Sequence, residues 1–146
     1  MRSFASMIEF IYNTNYTLRY EKKVLEWLVF LADNEGISIK NLQYNYVSKE
    51  EMLRINKKFL DHNFLTDVIT FDYSENDQLS GEVFICQDQV ESNAREYGET
   101  ADNETVRVIS HAFFHLCGYK DRTPDQKLTM RLKEDEAIAA FHTFLK

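Results

Sequence analysis

The sequence predicts an α+β protein with a single domain, in which a small mixed β-sheet of about four strands is surrounded by helices. The length of 146 residues fits one domain, which is expected to span residues 1–146. Short apolar runs rich in β-branched and aromatic residues alternate with longer segments of helical periodicity. The 44% of hydrophobic residues can fill a core, and the low proline and glycine content favours long helices.

The N-terminal third is predicted to form a strand, a helix and a second strand. Residues 8–12 (IEFIY) have the composition of a short strand, and residues 20–32 place apolar side chains at helical spacing. That helix is expected to end near Gly36. Residues 42–47 (LQYNYV) alternate apolar and polar side chains, which is typical of a half-buried strand.

A second helix is predicted to begin at Ser48, because Glu51 follows three residues later in the pattern of a capping box. This helix passes through Phe59, and residues 61–65 (DHNFL) are expected to form the loop that leaves it.

Two interior strands are predicted in the middle of the chain. Residues 68–71 (VITF) and 83–86 (VFIC) are apolar, rich in β-branched or aromatic side chains, and too short for helices. The polar residues 73–80 are expected to connect them.

Three helices are predicted for the C-terminal part. One passes through Val90 and ends at Gly98, and a second spans residues 105–117 and is apolar on nearly every side, which indicates a central position. The last begins with a capping pattern at residues 123–126. Four of its apolar residues are expected to be buried: Ala137, Ile138, Phe141 and Leu145.

The charge and cysteine content narrow the possible functions. A net charge of −7 argues mildly against a protein that grips a nucleic-acid backbone over a wide surface, although Arg54, Lys57 and Lys58 form a local basic cluster. Cys86 and Cys117 lie in apolar contexts and predict buried thiols in a reducing compartment. With no signal peptide or membrane span recognisable near the N-terminus, the expected location is the cytoplasm.

The segment SHAFFHLCGYKD carries the most informative pattern in the chain. His111 and His115 are four residues apart on a predicted helix, so both rings project from one face and can converge on one ion. Gly118 then lets the chain turn back, which brings Asp121 within reach of the same point. Two imidazoles and one carboxylate, with water in the fourth position, are a known catalytic zinc arrangement.

Less specific interpretations of these residues stay open. A pair of histidines on a buried helix can simply bond to backbone carbonyls, and Asp121 is also typical of an ordinary turn. Zincin peptidases have Glu directly after the first His, whereas this chain has Ala112, which disfavours peptidase chemistry. For His62 and His142 a solvated or structural role is expected.

The sequence HAFFHLCGYKD resembles the metal motif His-x3-His-x5-His of the YbeY family of endoribonucleases. Upstream, residues 65–71 (LTDVITF) are similar to that family's Pro-Thr-Asp-Val-Leu-Ser-Phe block, and Ile55-Asn56 to its Leu-Asn pair. Residues 81–85 (GEVFI) are similar to its Gly-Asp-Ile-x-Ile strand. Order and spacing agree over residues 8–121, which is most of the chain.

This resemblance implies a metal-dependent endoribonuclease specific for single strands, acting in ribosomal RNA processing, including maturation of the 16S rRNA 3′ end, and in ribosome quality control. The implied partners are precursor ribosomal RNA and the ribosome or its small subunit. The expected cofactor is one Zn²⁺ per chain, held by His111, His115 and Asp121. No general base is identifiable from sequence, and Asp67 is a candidate for either a catalytic role or bonding to nearby backbone.

Three departures from the family pattern leave two other functions open. Asp121 replaces the third histidine, Ala112 replaces a glycine, and Leu60 replaces an arginine thought to serve RNA cleavage. One alternative is a non-catalytic ribosome-assembly factor with a structural zinc site. The other is a metallohydrolase acting on a different substrate.

Overall fold

The computed structural model describes residues 7–61 and 64–146. Within these residues, a four-stranded sheet has the strand order β1-β2-β4-β3, and five long helices pack around it. In chain order the elements are β1 (Ile8–Tyr12), α1 (Glu21–Glu35), β2 (Ser38–Tyr46), α2 (Lys49–Leu60), β3 (Val68–Asp72), β4 (Gln78–Ile85), α3 (Gln87–Tyr97), α4 (Ala101–Leu116) and α5 (Pro124–Phe144).

The sheet is mixed, which confirms the predicted fold class. Strand β2 pairs in parallel with both β1 and β4, whereas β3 pairs antiparallel with β4. The prediction of an interior strand at residues 68–71 was wrong, because β3 pairs with β4 alone and forms an edge of the sheet. One side of β3 therefore faces away from the sheet, toward the end of α2 and the candidate site described below.

Two strands are longer than predicted because they pair with each other. The β2 strand begins at Ser38, which lies opposite Gln78 at the start of β4. The last three residues of the connection predicted at residues 73–80 therefore belong to β4. The first residues of both strands are not strongly apolar, so the hydrophobic pattern did not indicate that the strands begin there.

Helix α4 packs against the sheet through its apolar side, as predicted. Ile109 and Phe113 are fully buried, and the Tyr44 hydroxyl donates a hydrogen bond to the Ile109 carbonyl over 3.0 Å. The close approach requires Gly81 on β4, since a Cβ atom there would lie 2.7 Å from Cδ2 of Leu116. This packing determines which face of α4 points away from the sheet, and that face carries the two histidines.

Helix α5 packs across α1 and α4. The Trp27 indole donates a hydrogen bond to the Ala137 carbonyl over 2.8 Å, and Ala137, Ile138 and Phe141 are buried as predicted. The predicted burial of Leu145 was wrong: this residue is 36% exposed, because it caps α5 beyond the last full turn.

Helix α2 begins at the predicted position, with the Ser48 hydroxyl accepting a hydrogen bond from the Glu51 amide. The predicted capping box is only half formed, because the Glu51 carboxylate accepts from Arg54 and not from the Ser48 amide. The loop predicted to follow it includes residues 62–63, so that His62 lies outside the described residues. Both cysteines are free thiols; Cys86 is buried as predicted, whereas Cys117 is only half-buried. Among the helices described, none combines the length and the hydropathy needed to span a bilayer.

Candidate metal centre

Two histidine side chains lie side by side on the last two turns of α4. His111 and His115 are four residues apart, and their Nε2 atoms are separated by 3.0 Å. The side chain of Phe113, on the opposite side of the helix, and that of Phe114, beside the histidines, are both buried in the core. The two imidazoles are consequently turned outward: 26% of the His111 side chain and 28% of the His115 side chain are exposed.

The orientation of His115 is fixed by the turn that follows α4. Its Nδ1 atom lies 2.9 Å from the carbonyl oxygen of Tyr119, and a carbonyl only accepts, so Nδ1 must carry the proton. Gly118 makes this turn possible with a φ of 104°. With Nδ1 bonded to this carbonyl, Nε2 of His115 faces the space beside His111.

His111 is held by a carboxylate from α5. Its Nδ1 lies 2.6 Å from Oε2 of Glu134, a side chain only 6% exposed, while Arg107 donates to the other Glu134 oxygen over 2.9 Å. Arg107 also binds Asp135. Burial by itself lowers the pKa of His111, but the hydrogen bond and charge of Glu134, with help from Asp121, outweigh it and raise that pKa.

Asp121 completes a triangle of donor atoms, in the segment between α4 and α5. Its Oδ2 atom lies 3.3 Å from Nε2 of His111 and 3.3 Å from Nε2 of His115. Ligands about 2.0–2.1 Å from a tetrahedral zinc ion stand about 3.3 Å apart, so the donor types and spacing fit such an ion. The structure thus brings together the three residues that the sequence predicts as ligands.

Asp67 lies beside these donors at the start of the edge strand. Its backbone carbonyl accepts from the Cys86 amide over 2.9 Å, and its carboxylate is 3.4 Å from the Asn93 amide nitrogen. Burial raises the pKa of Asp67 despite the opposing effects of His111 and of hydrogen bonds to the carboxylate from the Asp67 and Val68 amides and from Asn93. Asp67 therefore combines the backbone role expected from sequence with a carboxyl group facing the site.

Two cavities meet at the candidate metal centre: all three candidate ligands line one of them, and His111 and Asp121 also line the other. We call the larger, about 560 Å³, the β3 cleft; it is lined by Leu60, Thr66, Asp67, Val68, Ile69, Thr70, Asp72, His111, His115 and Asp121. We call the other, about 370 Å³, the α3–α5 cavity; it is lined by Asp67, Val68, Asn93, Tyr97, Glu104, Arg107, Val108, His111, Asp121, Lys127, Met130, Arg131 and Glu134.

Several residues considered from sequence lie outside this centre. Of the basic cluster on α2, Arg54 is paired with Glu51, and Lys57 and Lys58 line neither cavity. His142 is exposed near the end of α5 and lines neither cavity.

Sequence reasoning missed Glu134 and Arg107, which support His111 from the side. A signal for Glu134 exists: it is a charged residue between Met130 and Ile138, on the buried side of the last helix. An acidic group at such a position needs a partner, because burying a lone charge is costly. The sequence pattern does not identify His111 and Arg107 as these partners, because their proximity to Glu134 depends on how α5 packs against α4.

Comparisons with known proteins agree on one family. A family model described as Endoribonuclease YbeY matches residues 8–142. A protein of that name from Flavobacterium johnsoniae is 37% identical over 136 residues, which cover 93% of this chain and 98% of the relative. Another, from Cytophaga hutchinsonii, is 41% identical over 128 residues, covering 87% of this chain and 90% of the relative.

A solved structure has a similar fold. The solution structure of TM1509 from Thermotoga maritima superimposes with a TM-score of 0.60 and 26% sequence identity. The match covers 93% of this chain and 92% of that chain. The whole arrangement of sheet and helices is therefore shared, beyond the segment that holds the histidines.

Proposed function

This chain belongs to the Endoribonuclease YbeY family, and on that premise we propose that it is a metal-dependent endoribonuclease that cuts single-stranded RNA. Its substrate is precursor ribosomal RNA, including the 16S rRNA 3′ end, and it acts with the ribosome in the cytoplasm. Its cofactor is one Zn²⁺ held by His111, His115 and Asp121. One catalytic domain covers residues 1–146.

The observation that carries this proposal is the meeting of three donors on the wall of the β3 cleft, two of which, His111 and Asp121, also line the α3–α5 cavity. The Asp121 side chain is 40% exposed, and both imidazoles are partly exposed. Structural zinc is usually enclosed by four protein ligands, whereas catalytic zinc keeps one position for water or substrate. Three protein donors at an open wall therefore support a catalytic centre.

Each residue of the centre has a distinct role in the proposed reaction. A zinc ion, when bound, supplies a Lewis acid for a phosphoryl oxygen and increases the acidity of water. The Tyr119 carbonyl and Glu134 orient the two imidazoles so that both Nε2 atoms face the same point. Asp67 accepts the proton of the attacking water, and its raised pKa makes it a better base near neutral pH.

One observation favours a second candidate function, a non-catalytic ribosome-assembly factor with structural zinc. Leu60 stands where the family resemblance places a cleavage-related arginine, and it lines the β3 cleft. That cleft has no lysine or arginine among its described lining residues. A protein that only docks onto the ribosome does not require a cation at this position.

The experiment compares the wild-type protein with His111→Ala, His115→Ala and the control His142→Ala. Zinc content, circular dichroism and cleavage are measured with the same precursor sequence as a single strand and as a duplex. The wild type and His142→Ala should each bind one zinc ion per chain, and both should cleave the single strand in preference to the duplex. The two ligand variants should stay folded, lose zinc and lose cleavage, because each lacks one donor.

Two results would contradict the nuclease proposal. Unfolding of both ligand variants on zinc loss, with no cleavage by the wild type, would favour the structural role. Cleavage that persists undiminished in both variants would show that a contaminating nuclease or another site is responsible.

A further inference from the structure

An endonuclease cuts within a strand, so the strand must leave the reacting phosphate on both sides. The α3–α5 cavity and the β3 cleft share Asp67, Val68, His111 and Asp121 as common wall. A strand with its phosphate at the three donors can therefore enter through one cavity and leave through the other. Each cavity then holds the nucleotides on one side of the cut.

The two cavities differ in charge. Whereas the described lining of the β3 cleft contains no lysine or arginine, the α3–α5 cavity contains Arg107, Lys127 and Arg131. Arg107 is already bonded to Glu134 and Asp135, which leaves two cations for a ligand. The favourable contacts for a phosphate backbone consequently lie on the α5 side of the metal centre.

Lys127 and Arg131 are suitably placed to bind phosphate. They are four residues apart on α5, so their side chains share one face, and both are exposed. In the described part of the chain, no hydrogen bond or ion pair engages the side chain of either residue, although Glu99 and Glu104 lie near enough to Arg131 to interact with its charge. Of the four acidic residues in this lining, Glu104 and Glu134 are buried, and Asp67 and Asp121 lie on the wall shared with the β3 cleft. The two cations are therefore the exposed charged groups on the α5 side of the cavity.

We propose that the α3–α5 cavity binds the RNA backbone on one side of the cut, with Lys127 and Arg131 contacting its phosphates. This inference rests on the proposed nuclease function. A volume of about 370 Å³ is within the range of about 300–1,000 Å³ that is typical of ligand pockets. Unlike the residues that hold the metal, these two act on affinity for the strand rather than on the chemical step.

Tyr97 adds an aromatic surface at the end of α3. Its side chain lines the same cavity and is 70% exposed. Unpaired bases stack on exposed aromatic rings without regard to sequence. Tyr97 therefore supplies the stacking partner for a base next to the bound phosphates.

The experiment uses the double variant Lys127→Gln with Arg131→Gln, and Lys22→Gln with Lys146→Gln as a control of equal net charge. Lys22 and Lys146 line neither cavity. Binding of a single-stranded RNA to metal-free protein is measured at several salt concentrations. The slope of log K against log salt is negative and should become less negative by about 1.4 in the double variant, because each phosphate contact on a single strand contributes about −0.7.

Cleavage by the zinc-loaded proteins gives a second measure. The double variant should raise KM about tenfold while kcat changes less than about twofold, since binding and not chemistry is affected. Zinc content should stay at the wild-type level. Tyr97→Ala should weaken binding about tenfold, whereas Tyr97→Phe should retain it because the ring remains.

The outcomes separate this inference from the function on which it rests. If the wild type cleaves RNA but the double variant matches the control in salt slope and KM, the proposed binding site is wrong and the nuclease function stands. If the wild type neither binds nor cleaves single-stranded RNA, the nuclease function fails and this inference fails with it.

Discussion

Glu134→Gln is the sharpest perturbation of the metal centre that leaves its three donors in place. The Glu134 carboxylate accepts from His111 through one oxygen and from Arg107 through the other. A glutamine of nearly the same shape offers one acceptor oxygen, and its amide nitrogen only donates. One of the two donors must therefore lose its partner, at a side chain that is only 6% exposed.

The effect on zinc affinity follows from the support given to His111. Removing a group that orients a ligating histidine costs about 10–100-fold in metal affinity, which corresponds to about 1.4–2.7 kcal/mol. The metal-free protein should also lose stability, by about 1.5–3 kcal/mol for one charge-assisted hydrogen bond. This loss of stability should stay below the roughly 3–5 kcal/mol expected when a buried ion pair is fully broken, because Arg107 still has its hydrogen bond to Asp135.

The matched control is Asp135→Asn, which removes the other carboxylate on Arg107 without touching His111. Asp135 is 53% exposed, so its loss should cost under about 1 kcal/mol and leave zinc affinity within about twofold. Zinc affinity is measured by competition with a chelating dye, and stability by denaturant unfolding of the metal-free protein. Equal zinc affinity for Glu134→Gln and Asp135→Asn would refute the supporting role of Glu134.

Three further predictions concern single residues. Asp121→Ala should lower zinc affinity more than about 100-fold, beyond the effect of a supporting residue, and Asp121→His should restore binding in the same dye competition. Gly81→Ala should destabilise the protein by about 1–3 kcal/mol in denaturant unfolding, because the added methyl meets Leu116. Asp67→Asn should stabilise the metal-free protein at pH 7 while reducing cleavage. Because burial raises the folded-state pKa of Asp67, its native charge costs stability as pH rises, and the advantage of the variant should vanish below the ordinary aspartate pKa of about 3.9.

Local patterns were sufficient for much of the fold. The helix starts at Ser48 and Thr123 depend on side chains within three residues. Both helices begin where predicted, and the capping box is complete at Thr123, whereas at Ser48 only the hydroxyl takes part. The apolar helix at residues 105–117 is central because a surface apolar on nearly all sides has to be covered. Strand pairing is different, since it joins distant segments: nothing local shows that β4 lies between β2 and β3.

In the candidate site, too, residues close in sequence could be predicted, whereas residues brought in by packing of distant segments could not. His111, His115 and Asp121 lie within eleven residues, so helical spacing and one turn bring them together. Glu134 comes from the next helix, and its position depends on how α5 packs against α4. Tyr97 reaches the α3–α5 cavity through the packing of α3, which the sequence pattern does not encode.

The most direct measurement is a titration of metal-free protein with Zn²⁺, in which cleavage of a single-stranded ribosomal RNA precursor is followed at each addition. Cleavage should be absent at the start, rise in proportion to added zinc and saturate at one ion per chain, while Asp121→Ala stays inactive under the same conditions. Full cleavage by the metal-free wild type, or saturation that is identical in Asp121→Ala, would contradict a catalytic centre built from His111, His115 and Asp121.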